Sequence, residues 1–375
     1  MCAKKKYRIL VINPGSVSTK VALYEDESLV FSETIYHSSQ ELASFSRIID
    51  QYAFRYKTIL ALLKKKNVSL SSLDAVVGRG GLSLKPVESG TYLIDDKMLE
   101  DVRHSRHSEG REHASDLGVL LAYEIACMAN IPAFTVDPVT VDELDDIARI
   151  SGLPEIRRRS LSHALNIKAV ARKAANDLLK HYEDLNLVVV HMGGGISVTA
   201  HRQGRMVDVN NALDGTGPFS PERAGGLPVG DVIRMCYSIP PYDNKHYTYE
   251  EMFKKIAGKG GLVAHLGTND AREVERSILA GNDYAKLIYE AMAYQIAKEI
   301  GAMATVLKGH VDAIVLTGGL ANSEMLVGWI KERVGFIAPV MVYPGQEEML
   351  AMALGALRVL RGEEKAKVYS RHPNA

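Results

Sequence analysis

Short runs of branched apolar residues recur along the chain, and two of them head equivalent patterns in its two halves. Ile9-Leu10-Val11-Ile12 and Leu187-Val188-Val189-Val190 each break into a polar turn with glycine, and a second apolar run follows at 21–24 and 196–198. Runs this short, rich in β-branched residues and closed by turn residues, predict buried strands, so each pattern reads strand, tight turn, strand. A third strand is expected at 29–31, and apolar residues at helical spacing with a basic end predict a helix over 41–66. Next come a strand at 74–77 opening into Gly78-Arg79-Gly80-Gly81, a helix over 112–130, and a strand at 133–136 ending at Asp137-Pro138. The second half repeats the plan, with a return strand near 206–209, helices through 308, a strand at 312–316 running into Thr317-Gly318-Gly319, and a last helix over about 347–361. Such alternation predicts an α/β chain with a mixed sheet in each half and helices on the sheet faces. The change of domain is expected near Asp184, giving domains 1–184 and 185–354, with 355–375 packing back on the first.

The two turns carry the first candidate chemistry. Gly15 in 13–20 (NPGSVSTK) and Gly193, Gly194 and Gly195 in 191–199 (HMGGGISVT) allow close backbone approach. Consecutive N–H groups can then converge on a phosphate oxygen, with the hydroxyls of Ser16, Ser18, Thr19 and Ser197 beside them. A lone hairpin with glycine is ordinarily only a hairpin. Recurrence after equivalent strands points instead to nucleotide phosphates held by two related domains.

Composition narrows the partner. The 375 residues hold 45 Lys+Arg and 45 Asp+Glu, so no basic excess suggests nucleic acid and the expected ligand is a small molecule. Cys2, Cys127 and Cys236 lie far apart without C-x-x-C spacing, which argues against a disulfide framework or thiolate metal site and suits a reducing, cytoplasmic setting. Lys4-Lys5-Lys6 precedes an apolar stretch too short for a signal peptide, and no uncharged apolar run is long enough to span a bilayer. A dinucleotide-binding reading fails because G-x-G-x-x-G is absent after the first strand.

The segments NPGSVSTK, VVGRGG, VDPVTVDEL, SHALN, VVVHMGGGISV, FSPERAGG and IVLTGGL resemble those of the acetokinase family, and within it the butyrate kinases. The family shares its superfamily with sugar kinases, the Hsp70 ATPase domain and actin. The resemblance implies two duplicated ribonuclease H-like domains, each a mixed five-stranded sheet flanked by helices, with the nucleotide cleft between them. It implies ATP-dependent phosphorylation of a short-chain carboxylate, butanoate foremost, with Mg²⁺ and a homo-oligomeric assembly. Branched-chain, acetate or propionate kinases and an Hsp70-like ATP-driven binding module are the alternatives.

Site residues follow from that resemblance. Arg79, between glycines at a strand end, can grip a carboxylate with two parallel bonds and matches the substrate-binding arginine of acetate kinases. His113 resembles a substrate-site histidine. Asp137 matches a residue of the Mg²⁺ and phosphate environment, and His191 the histidine on the phosphate side. Asn13 and Glu347, the latter with Glu348 beside it, resemble the family's magnesium-associated residues. Gly318, Gly319 and Asn322 match the element that cradles adenosine and the α-phosphate, and Lys20 completes the first phosphate turn. A structural role is expected for His163. In two places the chain departs from acetate kinases: Arg159 stands where they carry the histidine that contacts the transferring phosphoryl, and Pro228 where they carry an arginine. Arg157, Arg158 and Arg159 on one side and Arg223 on the other are the candidates for the missing cation; Arg159 or Arg223 is expected to act, and Arg159 is counted among the catalytic residues.

Overall fold

The computed structural model describes residues 5–108 and 112–371. They form two compact units, and the chain passes from the first to the second at Asp142/Glu143 and back at Gln346/Glu347.

In the first unit the apolar runs form β1 (Arg8–Pro14), β2 (Ser18–Glu25), β3 (Ser28–Tyr36), β4 (Ala75–Gly78), β5 (Thr91–Leu93) and β6 (Ala133–Val136). The sheet order is Lys367–Val368, β5, β6, β4, β1, β2, β3. β1, β2 and β3 pair antiparallel, whereas β1, β4 and β6 pair parallel. The expected five strands are therefore present, and β5 with Lys367–Val368 extends them to seven on one edge. Ile12 lies opposite both Val21 and Gly78. That register brings Asn13 and Arg79 to neighbouring strand ends, and the Arg79 N–H donates to the Ile12 carbonyl at 3.0 Å.

The helix expected over 41–66 is broken: a short turn at Ser39–Leu42 is followed by α1 (Tyr52–Lys65). Between them the Ser44 hydroxyl donates to the Glu41 carbonyl and the Arg47 N–H to the Asp50 carboxylate, side-chain bonds that compete with the helical ladder. α2 (Leu117–Ala129) begins after a single turn, Ala114–Asp116, and fills the face of β1, β4 and β6. Glycine makes that packing attainable. A Cβ on Gly78 would strike the Gly118 backbone, and a Cβ on Gly118 would lie 2.7 Å from the Arg79 nitrogen. The last helix, Glu348–Leu360, also lies against β1, β4 and β6, with Met352, Ala353 and Ala356 fully buried.

The second unit repeats the five-stranded pattern. β7 (Asn186–Met192), β8 (Ile196–Arg202), β9 (Arg205–Val209), β10 (Ala313–Gly318) and β11 (Val340–Pro344) lie in the order β11, β10, β7, β8, β9. β7, β8 and β9 are antiparallel and β7, β10 and β11 parallel, the same pairing as β1, β2, β3, β4 and β6. α3 (Ala164–Asp177) buries Leu165, Ile167, Val170, Ala171 and Ala174, a one-sided stripe that packs on β7 and β10. α4 (Asp283–Val306) lies on β7 and β8, and α5 (Glu324–Val334) lies on α4. The packing of α3 explains why the division falls at Asp142/Glu143 and not near Asp184. Packing of the last helix on the first sheet likewise places the return at Glu347 and not at 355.

Candidate active site

In the first unit three side chains from three elements meet. Arg79 follows β4, is only 6% exposed, and its Nη1 is buried with no hydrogen-bond partner among the described residues. Its Nη2 lies 3.4 Å from Oε1 of Glu348, at the start of the last helix. The other oxygen of Glu348 accepts from Nδ2 of Asn13, at the end of β1, at 2.9 Å. A buried guanidinium N–H without an acceptor costs about 1–3 kcal/mol, so Nη1 leaves an acceptor position open at this point of the fold. The glutamate that joins Asn13 is Glu348, one residue beyond the expected Glu347, which is exposed and faces Tyr24 closely enough to raise the phenol pKa after burial has done so.

The loop carrying Arg79 is tied to the start of α2. Asp116 is buried and accepts from the Ser83 N–H at 2.9 Å and the His113 N–H at 3.4 Å, while a Cβ on Gly81 would overlap its carboxylate. Burial pushes Asp116 up to about 6, against the two N–H donors that favour its charged form. His113 is exposed, with Nδ1 held by Ser115 at 2.7 Å, and so stands beside the Arg79 loop.

Asp137 ends β6 at a positive φ of 39°, a conformation uncommon outside glycine. Its Oδ1 accepts from the Gly90 N–H at 2.7 Å and its own N–H donates to the Gly90 carbonyl, so one carboxylate oxygen serves to brace the chain before β5.

In the first phosphate turn the Gly15 N–H donates to the Ser18 carbonyl at 2.8 Å, which closes the bend and leaves Ser16 and Lys20 exposed and Ser18 half-buried. Thr19, expected to face phosphate, is fully buried instead. Its hydroxyl meets Nη1 of Arg55 at 3.0 Å and Nε2 of His37 at 2.9 Å, so it braces the turn from inside.

The second unit centres on His191, 1% exposed at the end of β7. Asn166 of α3 lies 2.8 Å from its Nδ1, and the Gln346 amide lies 3.5 Å from its Nε2. The ring of His163 stacks on it with centroids 4.0 Å apart. His163 in turn binds the Ser197 hydroxyl through Nδ1 at 2.9 Å. Ser197, expected as a phosphate ligand, is therefore buried and committed to an imidazole.

Gly193, Gly194 and Gly195 form the turn beside this pair. The Gly193 N–H donates to the Gly195 carbonyl, and the Ser220 hydroxyl to the Gly194 carbonyl at 2.6 Å. The Arg223 guanidinium packs over Gly195, where a Cβ would overlap it, and donates to the Ala212 carbonyl. Burial lowers its pKa, against Glu222 and Asp214.

Of the three consecutive arginines, Arg159 is exposed. Arg158 turns inward and binds Asp208 at 2.8 and 3.3 Å and the carbonyls of Ala148 and Val209. Gly318, at φ 94°, exchanges backbone bonds with Gly345, while Gly319 borders open space and Asn322 is exposed with its amide on the Gly319 carbonyl.

The structure thus joins Arg79 with Asn13 and sets His191 beside the glycine turn. It adds Glu348, Asn166, Gln346 and a closely stacked His163. Asn166 lies within the SHALN segment, one helical turn after His163, a spacing that signals a shared face. Among the described residues no three His, Cys, Asp or Glu side chains are placed to hold a metal ion, and no helix is long and apolar enough to cross a membrane.

Comparison with known proteins follows the same geometry. The acetokinase family model matches residues 154–338. Butyrate kinase 1 of Clostridium acetobutylicum is 56% identical over 363 residues, covering 97% of this chain and 99% of that protein. The crystal structure of acetate kinase from Porphyromonas gingivalis has a TM-score of 0.76 at 20% identity, over 94% of this chain and 100% of that one. A propionate kinase from Francisella tularensis gives 0.72 at 20% identity, over 93% and 98%.

Proposed function

Because the chain belongs to the acetokinase family, phosphotransferases with a carboxyl group as acceptor, we propose that it converts butanoate and ATP into butanoyl phosphate and ADP, and the reverse. The observation that carries this reading is the buried Arg79, whose unpartnered Nη1 offers a carboxylate the acceptor position that the chain itself leaves empty. Identity of 56% to a protein named as a butyrate kinase supports the four-carbon acid.

A carboxylate is ionised at neutral pH, so its attack on the terminal phosphoryl group needs no general base. What the protein must supply is orientation and positive charge against repulsion between two anions. Arg79 fixes the carboxylate and Glu348 steadies the guanidinium from the other side. Ser16, Ser18, Lys20 and the N–H groups of the first turn, apart from that of Gly15, receive phosphate oxygens in the first unit. His191, the 193–195 turn and Arg223 do so in the second, with Asp137, Arg159, Gly318, Gly319 and Asn322 as further candidates.

The residues also fit Mg²⁺. The Asn13 amide oxygen and the Glu348 carboxylate are hard oxygen donors, and Mg²⁺ takes few protein ligands while keeping most of its waters. When bound with the nucleotide it supplies charge to the phosphate oxygens.

The decisive experiment incubates the protein with Mg²⁺, ATP, hydroxylamine and, in turn, acetate, propionate, butyrate or isobutyrate. Hydroxamate should form, with the highest kcat/KM for butyrate. ATP turnover indifferent to every acid, without hydroxamate, would overturn the reading; a better rate with another acid would change the substrate.

A further inference from the structure

Arg55 lies wholly inside the first unit, on α1, and its guanidinium is spent on the underside of the first phosphate turn. Nη1 donates to the carbonyls of Gly15 and Ser18 at 2.8 Å each, and Nη2 to the carbonyl of Ser16 at 3.1 Å. The Val17 carbonyl accepts from the His37 N–H at 2.9 Å. Every carbonyl from Gly15 to Ser18 is therefore engaged, three of them by one cation. The rest of the fork lies on the Gln51 amide oxygen, from Nη2 at 2.8 Å and Nε at 3.1 Å. Among the described residues no Asp or Glu pairs with Arg55, which is fully buried, and burial alone lowers its pKa to about 10, so it stays charged at neutral pH. The pKa of its titratable neighbour His37 is lowered by burial and then by the Arg55 charge, against Glu41.

A buried charge with only dipoles around it is costly and is normally paired. Here the pairing charge is missing from the chain, and the turn that the cation supports is the one whose opposite face is exposed.

We propose that Arg55 is a positioning residue of the phosphate site, and that its uncompensated positive charge acts through the peptides of the 15–18 turn to strengthen binding of a nucleotide phosphate on the outer face. This rests on the reading of that turn as a phosphate site. Gln51 is neutral for the same reason: a carboxylate there would satisfy the same two N–H groups and cancel the charge.

Gln51→Glu is accordingly the test, since it keeps shape and hydrogen bonds while adding the absent counter-charge. The variant should melt no lower than the parent, because a well-formed ion pair replaces a charge–dipole contact. Its KM for ATP and for ADP should rise on the order of tenfold, as expected for loss of one net charge several ångströms from an anion at a partly shielded site, with the butyrate KM unchanged. An unchanged nucleotide KM in a stably folded Gln51→Glu protein overturns the proposal and leaves Arg55 a structural brace. Should Gln51→Glu not fold, Arg55→Lys and Arg55→Met are compared by the rise in melting temperature that ATP induces. The lysine variant, which keeps the charge without the fork, should retain most of that rise, and equal loss in both overturns the proposal. The double variant Ser16→Ala, Ser18→Ala separates the two readings. If it raises the nucleotide KM while Gln51→Glu does not, only the role of Arg55 falls; if it has no effect, the turn is not a phosphate site and both fall.

Discussion

Arg79→Met tests the carboxylate anchor through two effects of very different size. The side chain is 6% exposed and one guanidinium nitrogen has no acceptor, so the substrate would complete a desolvated, charge-assisted pair. Each hydrogen bond to a charged group is worth about 1.5–3 kcal/mol, and truncating one member of such a buried pair costs about 2–5 kcal/mol. Taking about 3–4 kcal/mol, kcat/KM for the acid should fall by two to three orders of magnitude, while the KM for ATP stays near the parent value. Stability should change far less. Methionine removes the unsatisfied N–H, but it also takes from Glu348 the Nη2 partner at 3.4 Å, so the two terms oppose and the melting temperature should stay within about 2–4 °C of the parent. Steady-state kinetics on both substrates and a thermal melt of the same preparation read both effects. Activity and stability that collapse together would show that Arg79 is a core brace, and unchanged kinetics would show that the carboxylate binds elsewhere.

Three further outcomes follow from the geometry. Glu348→Ala should raise the free Mg²⁺ needed for half-maximal rate by about 10–100-fold, the usual cost of losing a ligand-orienting group, whereas Glu347→Ala should not; the reverse result in a Mg²⁺ titration would return the role to Glu347. Gly118→Ala drives a Cβ against the Arg79 backbone and should cost about 3 kcal/mol or more in urea unfolding, while Gly152→Ala, with open space around it, should stay within about 0.5 kcal/mol. Asp116 rises from an ordinary value of 3.8 to about 6 on folding, so between these values the folded chain holds a proton that the unfolded chain has lost. Stability from this group is complete below about pH 4 and is lost as the pH rises through about 6, and Asp116→Asn should flatten that slope in urea titrations from pH 4 to 7.

Much of this was open to reading in the chain itself, and the failures have specific causes. The strands follow from β-branched runs, and the duplication follows from two glycine turns placed after equivalent strands. Thr19 and Ser197 were misplaced because hydroxyls beside a glycine turn look available for phosphate. Thr19 shares a face with Val21 and Leu23, all three buried, and two-residue alternation alone would have sent it inward. Neighbours are hard to separate where the local geometry is unknown. One residue turns a helix by about 100°, which aims Glu348 at Asn13 and Glu347 elsewhere, and in the extended stretch before α3 successive side chains diverge, which turns Arg158 to Asp208 and leaves Arg159 outside. The positive φ of Asp137 and the stacking of His163 on His191 depend on packing between segments distant in sequence. No local pattern encodes them.

The discontinuity of the first unit has a consequence for how the protein is made. β1, β4 and β6 leave the ribosome early, but the helix that covers one of their faces, Glu348–Leu360, follows the whole of the second unit. At about 5–20 residues per second, synthesis of 143–346 takes at least about ten seconds. Throughout that interval the side of the first sheet destined for Met352, Ala353 and Ala356 is an uncovered apolar surface on a nascent chain. The second unit, contiguous in sequence, can finish folding before the first one closes. A ribosome that stops between Gln346 and the last helix therefore releases a chain with a complete second unit and an adhesive first one, a fragment marked for chaperones and proteases by its own missing helix.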